Sequence, residues 1–397
     1  MKAIKQTLGL LLALVACLTS CGEGEPLGGA STKGSEEVTE AETQYEYQEK
    51  DYIGMLPTGT QAKPVTVKVF QNETDGYKVY RIPSVAVSVK GTILAFCEGR
   101  VDGSADDGNI DLVYKRSTDG GETWSGLKVL AEYGSNAANN ATPVVDQITG
   151  RIWLFYALHT APKAEGDCTC YIYSDDDGIT WSEQTVVYNV PHVFPGPGNG
   201  IQLTVGRYAG RLVIPMQQGF VLYSDDHGAT WKSGVMSDST HEPTVVELSD
   251  GRLLRNTRGS TGMREISYST DGGKSWSAYV LSDELNEPKT DDRWKGCQAS
   301  QIVFFKATEE GGYQRYLLFS NPKNNSVRGN LVIRTSADEG ESYAYAYTVY
   351  GGYVGYSSMS QYGEAHVAIL YEQGQAHKSD ACLEFRLIPF EELLKNG

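Results

Sequence analysis

Short apolar segments recur along most of the chain, as in VKVFQ (67–71), TILAFCE (92–98), RIWLFYAL (151–158) and NLVIRTS (330–336). Some alternate apolar with polar residues and others are continuously apolar, and both patterns at this length are typical of β-strands. Apolar residues with a helical period are almost absent until PFEELLK (389–395), which predicts a short terminal helix. The pattern as a whole predicts an all-β fold.

One polar phrase, Ser-x-Asp-x-Gly-x-Thr/Ser-Trp, separates these segments repeatedly. Its Asp can accept hydrogen bonds in a tight turn, its Gly supplies a positive φ, and its Trp can fill the core of its own repeat. Copies begin 57, 50, 45 and 67 residues apart. That period predicts a β-propeller of about six blades, with every copy on the same face. The copies are STDGGETW (117–124), SDDDGITW (174–181), SDDHGATW (224–231), STDGGKSW (269–276) and the degenerate SADEGESY (336–343).

The first twenty residues predict an export signal. Two lysines precede an apolar run, Leu8 to Leu18, which is shorter than the about 20 residues of a membrane span and typical of a secretory signal. LTSC (18–21) resembles a bacterial lipobox, which implies cleavage after residue 20 and lipid on Cys21. An ordinary signal peptide with a chance cysteine is the alternative. We expect an exported bacterial lipoprotein, periplasmic or attached to the outer membrane or cell surface through that lipid alone.

Residues 21–60 are polar and acidic, with few large apolar groups, and predict a flexible tether. Residues 22–60 carry nine acidic and two basic side chains, a net of −7 of the formal −16. The negative charge of the rest argues against nucleic acid as a partner. Residues 61–397 are long enough for one large β domain and hold five cysteines. No zinc-type spacing is present, so we expect these cysteines to be structural or free.

Segments outside the repeated phrase resemble, in order, the signature segments of bacterial exo-α-sialidases, and the phrase itself resembles their Asp box. The resemblance spans about residues 65–390 and implies a six-bladed propeller with Asp-box turns that removes terminal sialic acid from glycans. The matching segments are KVYRIPSV (78–85), DDGNIDLVYKRS (106–117), HEPTVVELSDGRLLRNTR (241–258), FSNPKNNSVRGNLVIRTS (319–336), YSSMS (356–360) and LYEQG (370–374).

By this resemblance, Arg81, Arg258 and Arg328 bind the carboxylate on C2 of sialic acid. Arginine suits this task because its planar fork matches a carboxylate and keeps its charge. Glu372 is expected to orient Arg81 and to balance the positive charge of the cluster.

Other arginines compete for two of these positions. Arg255 is the alternative to Arg258, which is chosen because it follows Glu242 by 16 residues. Arg334 and Arg264 are the alternatives to Arg328, which precedes a Gly-Asn pair that enters a strand.

The resemblance implies that Tyr356 is the nucleophile and Glu242 its general base. A neutral phenol avoids the repulsion that a carboxylate nucleophile would meet beside the substrate's own carboxylate. Because a phenol is a weak nucleophile near neutral pH, it needs a base within hydrogen-bond reach. Tyr353 and Tyr362 are nearby alternatives.

Asp106, in a Gly/Asp-rich loop, is expected to be the general acid that protonates the leaving oxygen. Asp102, Asp107 and Asp111 are alternatives, since a run of aspartates is more often a solvated turn. The loop PGPGNGIQL (195–203) resembles family loops that border the sugar pocket, and Gln202 is expected to contact substrate.

No cofactor or metal is implied. His192, His227 and His241 show no metal-ligand spacing, and we assign them no catalytic role. A monomer is expected.

Four rival functions remain compatible with parts of the sequence. A sialic-acid lectin would keep the arginines and lose Tyr356, Glu242 or Asp106, yet all three are present. An intramolecular trans-sialidase that forms an anhydro sugar, or a hydrolase for deaminated sialic acid, would keep the same catalytic residues. A propeller that acts on neutral glycans would give no reason for an arginine cluster.

Overall fold

The computed structural model describes residues 63–160, 166–237, 241–289, 295–375, 378 and 381–395. The predicted signal peptide (1–20), Cys21 and the predicted tether (21–60) lie outside the described residues. In the part that is described, no helix has the length and hydrophobicity needed to cross a bilayer.

The regular secondary structure of the described chain is almost entirely β-strand, which confirms the all-β prediction. Among the residues that the structure describes, one α-helix, α1 (Phe390–Leu393), lies within the predicted terminal helix, and two 3₁₀ turns cover Gly206–Tyr208 and Gln217–Gly219. The strands are β1 (Val65–Gln71), β2 (Val79–Val87), β3 (Ile93–Arg100), β4 (Ile110–Ser117), β5 (Lys128–Ala131), β6 (Ala137–Val145), β7 (Ile152–His159), β8 (Cys168–Ser174), β9 (Thr185–Tyr188), β10 (Ile201–Gln202), β11 (Leu212–Met216), β12 (Phe220–Ser224), β13 (Lys232–Ser233), β14 (His241–Glu247), β15 (Leu253–Arg258), β16 (Met263–Ser269), β17 (Val280–Asn286), β18 (Ser300–Ala307), β19 (Tyr313–Pro322), β20 (Gly329–Ser336), β21 (Tyr345–Tyr362), β22 (His366–Gln373) and β23 (Cys382–Pro389).

Successive strands pair antiparallel in groups of four. The first four groups are β2–β5, β6–β9, β10–β13 and β14–β17, and a parallel bridge from Ile110 to Ala137 joins the first two. The long strand β21 serves two groups, because its first part pairs with β20 and its second part with β22. The last group is completed by β1, which pairs with β23 from Val65 opposite Leu387 to Gln71 opposite Cys382. The two ends of the described chain thus share one sheet.

Each repeated turn is stabilised by its aspartate, as the sequence predicts. In the second copy, Asp176 Oδ1 accepts hydrogen bonds from the backbone N–H of Ile179 (3.1 Å) and Thr180 (2.8 Å), and Oδ2 accepts from the Thr180 hydroxyl (2.6 Å). Ser174 bridges Asp176 and the backbone N–H of Gly178. The degenerate fifth copy keeps the corresponding bonds.

The tryptophans of the turns pack differently from the prediction that each fills its own repeat. Trp181 contacts Phe96 (ring centroids 5.9 Å apart) in the group before its own. Trp231 likewise contacts Trp153 at 5.5 Å and Phe155 at 4.7 Å in the preceding group. The indole rings of Trp181 and Trp231 are thus partly buried against the preceding group of strands and pack one group against the next.

The repeated turns lie at the strand ends opposite the start of β2. Thr92, in the β2–β3 turn, donates a hydrogen bond to Asp177 of the second copy (2.5 Å). His227 of the third copy contacts Asp146, which directly follows β6 (2.7 Å). Functional residues at the other strand ends are therefore separated from these turns.

We expect Asp176→Ala to lower the free energy of unfolding by about 1–2 kcal/mol, because it removes several charge-assisted hydrogen bonds. Hydrogen bonds from the side chain and backbone of Thr180 lower the pKa of Asp176 to about 2, below the about 3.9 of an unfolded chain. The stabilisation is therefore complete above about pH 4 and is lost as the pH falls toward 2. Urea unfolding followed by tryptophan fluorescence between pH 2 and pH 7 measures it.

Asp283→Ala is the matched control, since Asp283 is an exposed aspartate on β17. Equal effects of the two substitutions at pH 7 would contradict the role assigned to Asp176.

Candidate active site

Seven of the eight side chains predicted to catalyse or to bind substrate lie together at the strand ends opposite the repeated turns. They come from most of the length of the chain, and Arg81 and Glu372, which are in contact, are 291 residues apart in sequence. The seven are Arg81 (β2), Asp106 (the β3–β4 loop), Glu242 (β14), Arg258 (β15), Arg328 (directly before β20), Tyr356 (β21) and Glu372 (β22).

Tyr356 and Glu242 form the centre of this cluster. The Tyr356 hydroxyl donates a hydrogen bond to Oε1 of Glu242. Oε2 of the same carboxylate lies 2.9 Å from Nη1 of Arg258, and that nitrogen lies 3.3 Å from the Tyr356 hydroxyl. Tyr356 is 7% exposed and Glu242 9%. The phenol proton therefore already points at an acceptor whose charge is balanced by a guanidinium.

Burial and the neighbouring Glu242 carboxylate raise the pKa of Tyr356 well above its ordinary value, although Arg258, Arg328 and Arg81 oppose the shift. The side chain is therefore a neutral phenol at physiological pH. Its oxygen becomes strongly nucleophilic only when a base accepts the proton, and Glu242 is in hydrogen-bond contact with it.

Glu372 holds Arg81 and Tyr356 in relative position. Its Oε1 accepts from Nε of Arg81 (3.1 Å) and from the backbone N–H of Ile82 (3.0 Å), and its Oε2 accepts from the backbone N–H of Tyr356 (3.2 Å). The carboxylate fits because residue 355 is glycine. A Cβ on Gly355 would lie 1.8 Å from Glu372 Oε2.

Two backbone carbonyls orient the other two arginines. Arg258 Nε donates to the carbonyl of Lys295 (2.9 Å), and Arg328 Nη2 donates to the carbonyl of Gly296 (3.1 Å). The guanidinium carbons of Arg81 and Arg328 lie 5.4 and 5.8 Å from the centre of the Tyr356 ring. Three positive groups thus surround one phenol, an arrangement suited to an anionic ligand.

Local backbone irregularity directs two of these side chains. β2 is bulged between Arg81 and Ser84, and β14 is bulged between His241 and Thr244. Ile82 and Glu242 have positive φ values of 56° and 46°, which are unfavourable for residues other than glycine. A proline follows each of them in the sequence. Such strain costs about 1–3 kcal/mol per residue and is concentrated at functional sites.

Asp106 lies at the rim, with its side chain 81% exposed. Its Oδ1 is 3.2 Å from Arg81 Nη1 and 2.9 Å from Arg100 Nη1. Loss of hydration favours the neutral carboxyl, but Arg100 and Arg81 outweigh it and lower the pKa of Asp106. Asp111, one of its sequence alternatives, instead accepts a hydrogen bond from Tyr77 (2.7 Å).

Arg100 and Glu98 were not identified from the sequence. The buried guanidinium of Arg100 donates to the carbonyls of Ser104 (2.6 Å) and Ala105 (2.8 Å) and so shapes the Asp106 loop. Glu98 accepts from Arg100 Nη2 at 2.6 Å. The signal that could have found the pair is Glu-Gly-Arg (98–100) immediately before an aspartate-rich loop, because alternate residues of a strand share a face.

Gln202, which the sequence predicts to contact substrate, is not part of the cluster. Its amide nitrogen donates to Asp146 Oδ1 (2.9 Å) and to the carbonyl of Gly210 (3.1 Å), and its carbonyl accepts from the backbone N–H of Gln147 (2.7 Å). Asp146 and Gln147 follow the end of β6 near a repeated turn. The Gln202 side chain thus binds Asp146 and backbone groups at the strand ends that carry the repeated turns, away from the cluster.

The alternative arginines have other partners. Arg255 binds Ser267 (2.9 Å) and the carbonyl of Gly219 (2.6 Å). Arg334 binds Asn321 and Asn286, each at 2.6 Å. Arg264 is fully buried against Glu287. Each of the three alternative arginines therefore makes structural contacts outside the cluster.

The cluster therefore combines three kinds of functional group. Three arginines can bind a carboxylate, a neutral phenol is paired with a carboxylate base, and an exposed carboxyl stands at the rim. Phenol, base and acid in this order suit displacement at a carbon that bears a carboxylate and a leaving oxygen.

Comparison with known proteins shows which family this chain resembles. The family model of the BNR repeat-like domain matches residues 91–369. A sialidase of Micromonospora viridifaciens is 31% identical over 337 residues, covering 76% of this chain and 51% of that protein. A sialidase of Clostridium perfringens is 30% identical over 312 residues, covering 68% of this chain and 79% of that protein. The solved Hadza microbial sialidase Hz136 has a TM-score of 0.72 and 26% identity, covering 83% of this chain and 69% of that one.

The chain thus spans about half the length of the Micromonospora protein and most of the Clostridium protein. The region matched by the family model, residues 91–369, includes five of the seven cluster residues: Asp106, Glu242, Arg258, Arg328 and Tyr356. On these matches, the chain belongs to the sialidase family.

Proposed function

We propose that this protein is a retaining exo-α-sialidase that releases terminal sialic acid from glycoconjugates. The observation that carries the proposal is the buried Tyr356–Glu242 hydrogen bond inside a ring of three arginines. A lectin needs the arginines but has no use for a phenol with its own base. The sialylated glycan is the partner, and the protein needs no cofactor for this chemistry.

Binding begins with the sugar's carboxylate between Arg81, Arg258 and Arg328. Bidentate contacts to arginine fix the ring, so that C2 faces the Tyr356 oxygen. The substrate carboxylate also neutralises part of the positive charge beside Asp106. That change raises the pKa of Asp106 from its lowered value and favours the protonated acid in the complex.

In the first step the Tyr356 oxygen forms a bond to C2, and its proton passes to Glu242. The bond from C2 to the leaving sugar breaks as Asp106 gives its proton to the departing oxygen. In the second step Asp106 takes a proton from water, the water oxygen bonds to C2, and the Tyr356 oxygen leaves and recovers its proton from Glu242. Two displacements retain the configuration.

We also propose that the six groups of four strands form the blades of a closed propeller. Pairing of β1 with β23 supports closure, because it joins the first and last strands within one sheet. The turns between strands then lie on one face and the cluster on the other. Export as a lipoprotein through Cys21, attached to a bacterial membrane by its lipid and otherwise monomeric, is part of the same proposal and rests on the sequence.

Tyr356→Phe should lower kcat by about 10³-fold or more on an aryl α-sialoside, because it removes the nucleophilic oxygen and keeps the ring. Tyr353→Phe is the matched control, since Tyr353 is 51% exposed three residues earlier and should retain activity. The released sugar is identified by mass spectrometry. Free sialic acid supports the proposal, an anhydro product would replace hydrolysis by intramolecular transfer, and binding without turnover in the wild type would indicate a lectin.

Asp106→Asn should reduce the rate on sialyllactose by about 10²–10⁴-fold, because a sugar hydroxyl is a poor leaving group that needs a proton. The rate on a nitrophenyl sialoside should fall much less. Asp107→Asn, one residue later on the same exposed loop, is the control. Equal losses on both substrates would contradict the general-acid role of Asp106.

Arg100→Lys should show the same leaving-group dependence in weaker form, at most about 10²-fold on sialyllactose, because it displaces the Asp106 loop without removing the acid. Lysine keeps a positive charge beside Glu98. An unchanged ratio between the two substrates would show that Arg100 serves stability alone.

A further inference from the structure

A second group of polar side chains consists of His159 at the end of β7, Asp167 directly before β8 and His192 in the loop after β9. His159 Nδ1 is 3.0 Å from Oδ2 of Asp167, and His192 Nδ1 is 3.7 Å from the same oxygen. The three side chains are thus directed at one point, although they are 8 and 25 residues apart in sequence. That irregular spacing explains why no metal site is recognisable at His192 from the sequence.

The carboxylate at the centre of this group is fixed before any ligand arrives. The side chain of Asp167 is 0% exposed. Its Oδ1 accepts from the backbone N–H of Thr160 (2.8 Å) and from the Thr160 hydroxyl (3.2 Å). The backbone N–H of His192 reaches Oδ2 at 3.4 Å. Supporting hydrogen bonds of this kind orient the carboxylate ligands of metal sites.

We propose that His159, Asp167 and His192 bind a divalent transition-metal ion of the zinc class. Two imidazole nitrogens and one carboxylate oxygen are a set of donors that holds zinc and leaves one position open. Ligand atoms about 2.0–2.1 Å from a tetrahedral ion are about 3.3 Å from each other. The two distances to Asp167 Oδ2 lie on either side of that value.

The open side of the site faces solvent. His192 is the exposed ligand, with its side chain 65% exposed, and His159 is 18% exposed. The ring of Phe194 packs 5.3 Å from that of His159 and forms an apolar wall on one side. Water can therefore complete the coordination of an ion held by the three protein atoms.

Another histidine–aspartate pair in the chain provides an internal comparison. His227 Nδ1 lies 2.7 Å from Asp146 Oδ2, which is an ordinary hydrogen-bond distance. The group at Asp167 differs because two imidazoles converge on its carboxylate. A metal ion between them satisfies both nitrogens at once.

The proposed site lies at the same strand ends as the catalytic cluster. His159 pairs with Ala137, Ala137 bridges to Ile110, and Ile110 pairs with Arg100, which holds the Asp106 loop. A bound ion would tie the end of β7 to the loop around His192. The bound ion would lie near the sialidase site, and its binding is measurable without any activity assay.

Titration calorimetry with ZnCl₂ on the purified, tag-free full chain tests the proposal. The wild type should bind one zinc ion with a micromolar or lower Kd, and His192→Ala should weaken that binding about tenfold or more. His192 is exposed, so this variant is expected to fold. His227→Ala is the matched control and should bind zinc as the wild type does.

Asp167→Asn gives an independent measurement. Zinc should raise the melting temperature of the wild type and of His227→Ala, and should not raise that of Asp167→Asn or His192→Ala. Absence of stoichiometric binding by the wild type would overturn the proposal. Wild-type affinity in His192→Ala would also overturn it, because the zinc would then be held elsewhere, for example by a cysteine.

Discussion

The buried charges around Tyr356 are the constraint on which the rest of the site depends. Three guanidinium groups repel one another, and burying them without partners would cost several kcal/mol per ion. Glu242 and Glu372 balance that charge with direct hydrogen bonds to Arg258 and Arg81. The same two carboxylates also contact Tyr356 through its hydroxyl and its backbone N–H. The two carboxylates that balance the charge of the arginines therefore also hold Tyr356 in position.

That arrangement requires strands from distant parts of the chain to end at the same place. The antiparallel groups supply this geometry, because β2 and β14 begin at the cluster whereas β15 and β22 end there. The turns then lock neighbouring groups together through aspartate-stabilised loops and tryptophans that pack across to the preceding sheet. A rigid scaffold of this kind tolerates the unfavourable backbone conformations of Ile82 and Glu242, which lie within the cluster or directly beside it.

The distribution of exposure within the site agrees with the role proposed for each group. Tyr356 and Glu242 are buried, where exclusion of water strengthens their mutual contact and keeps the phenol neutral. Asp106 is exposed at the rim, as its proposed role as general acid and base requires. Arg100 fixes the backbone of that exposed loop from below. A mobile acid without such support would lose the orientation that proton transfer needs.

Much of this was decided by the sequence alone. Period-two and short apolar segments determine strands, because side chains alternate across a sheet, and the Asp-containing phrase determines its turn through contacts within eight residues. Family resemblance located seven side chains that meet in the structure. The tertiary structure alone decided the rest: that Gln202 binds Asp146 and backbone groups at the far strand ends, that the turn tryptophans pack against neighbouring groups of strands, that Gly355 leaves room for Glu372, and that His192 meets Asp167. Local patterns encode backbone geometry, whereas these contacts depend on how separate sheets pack, which no local spacing records.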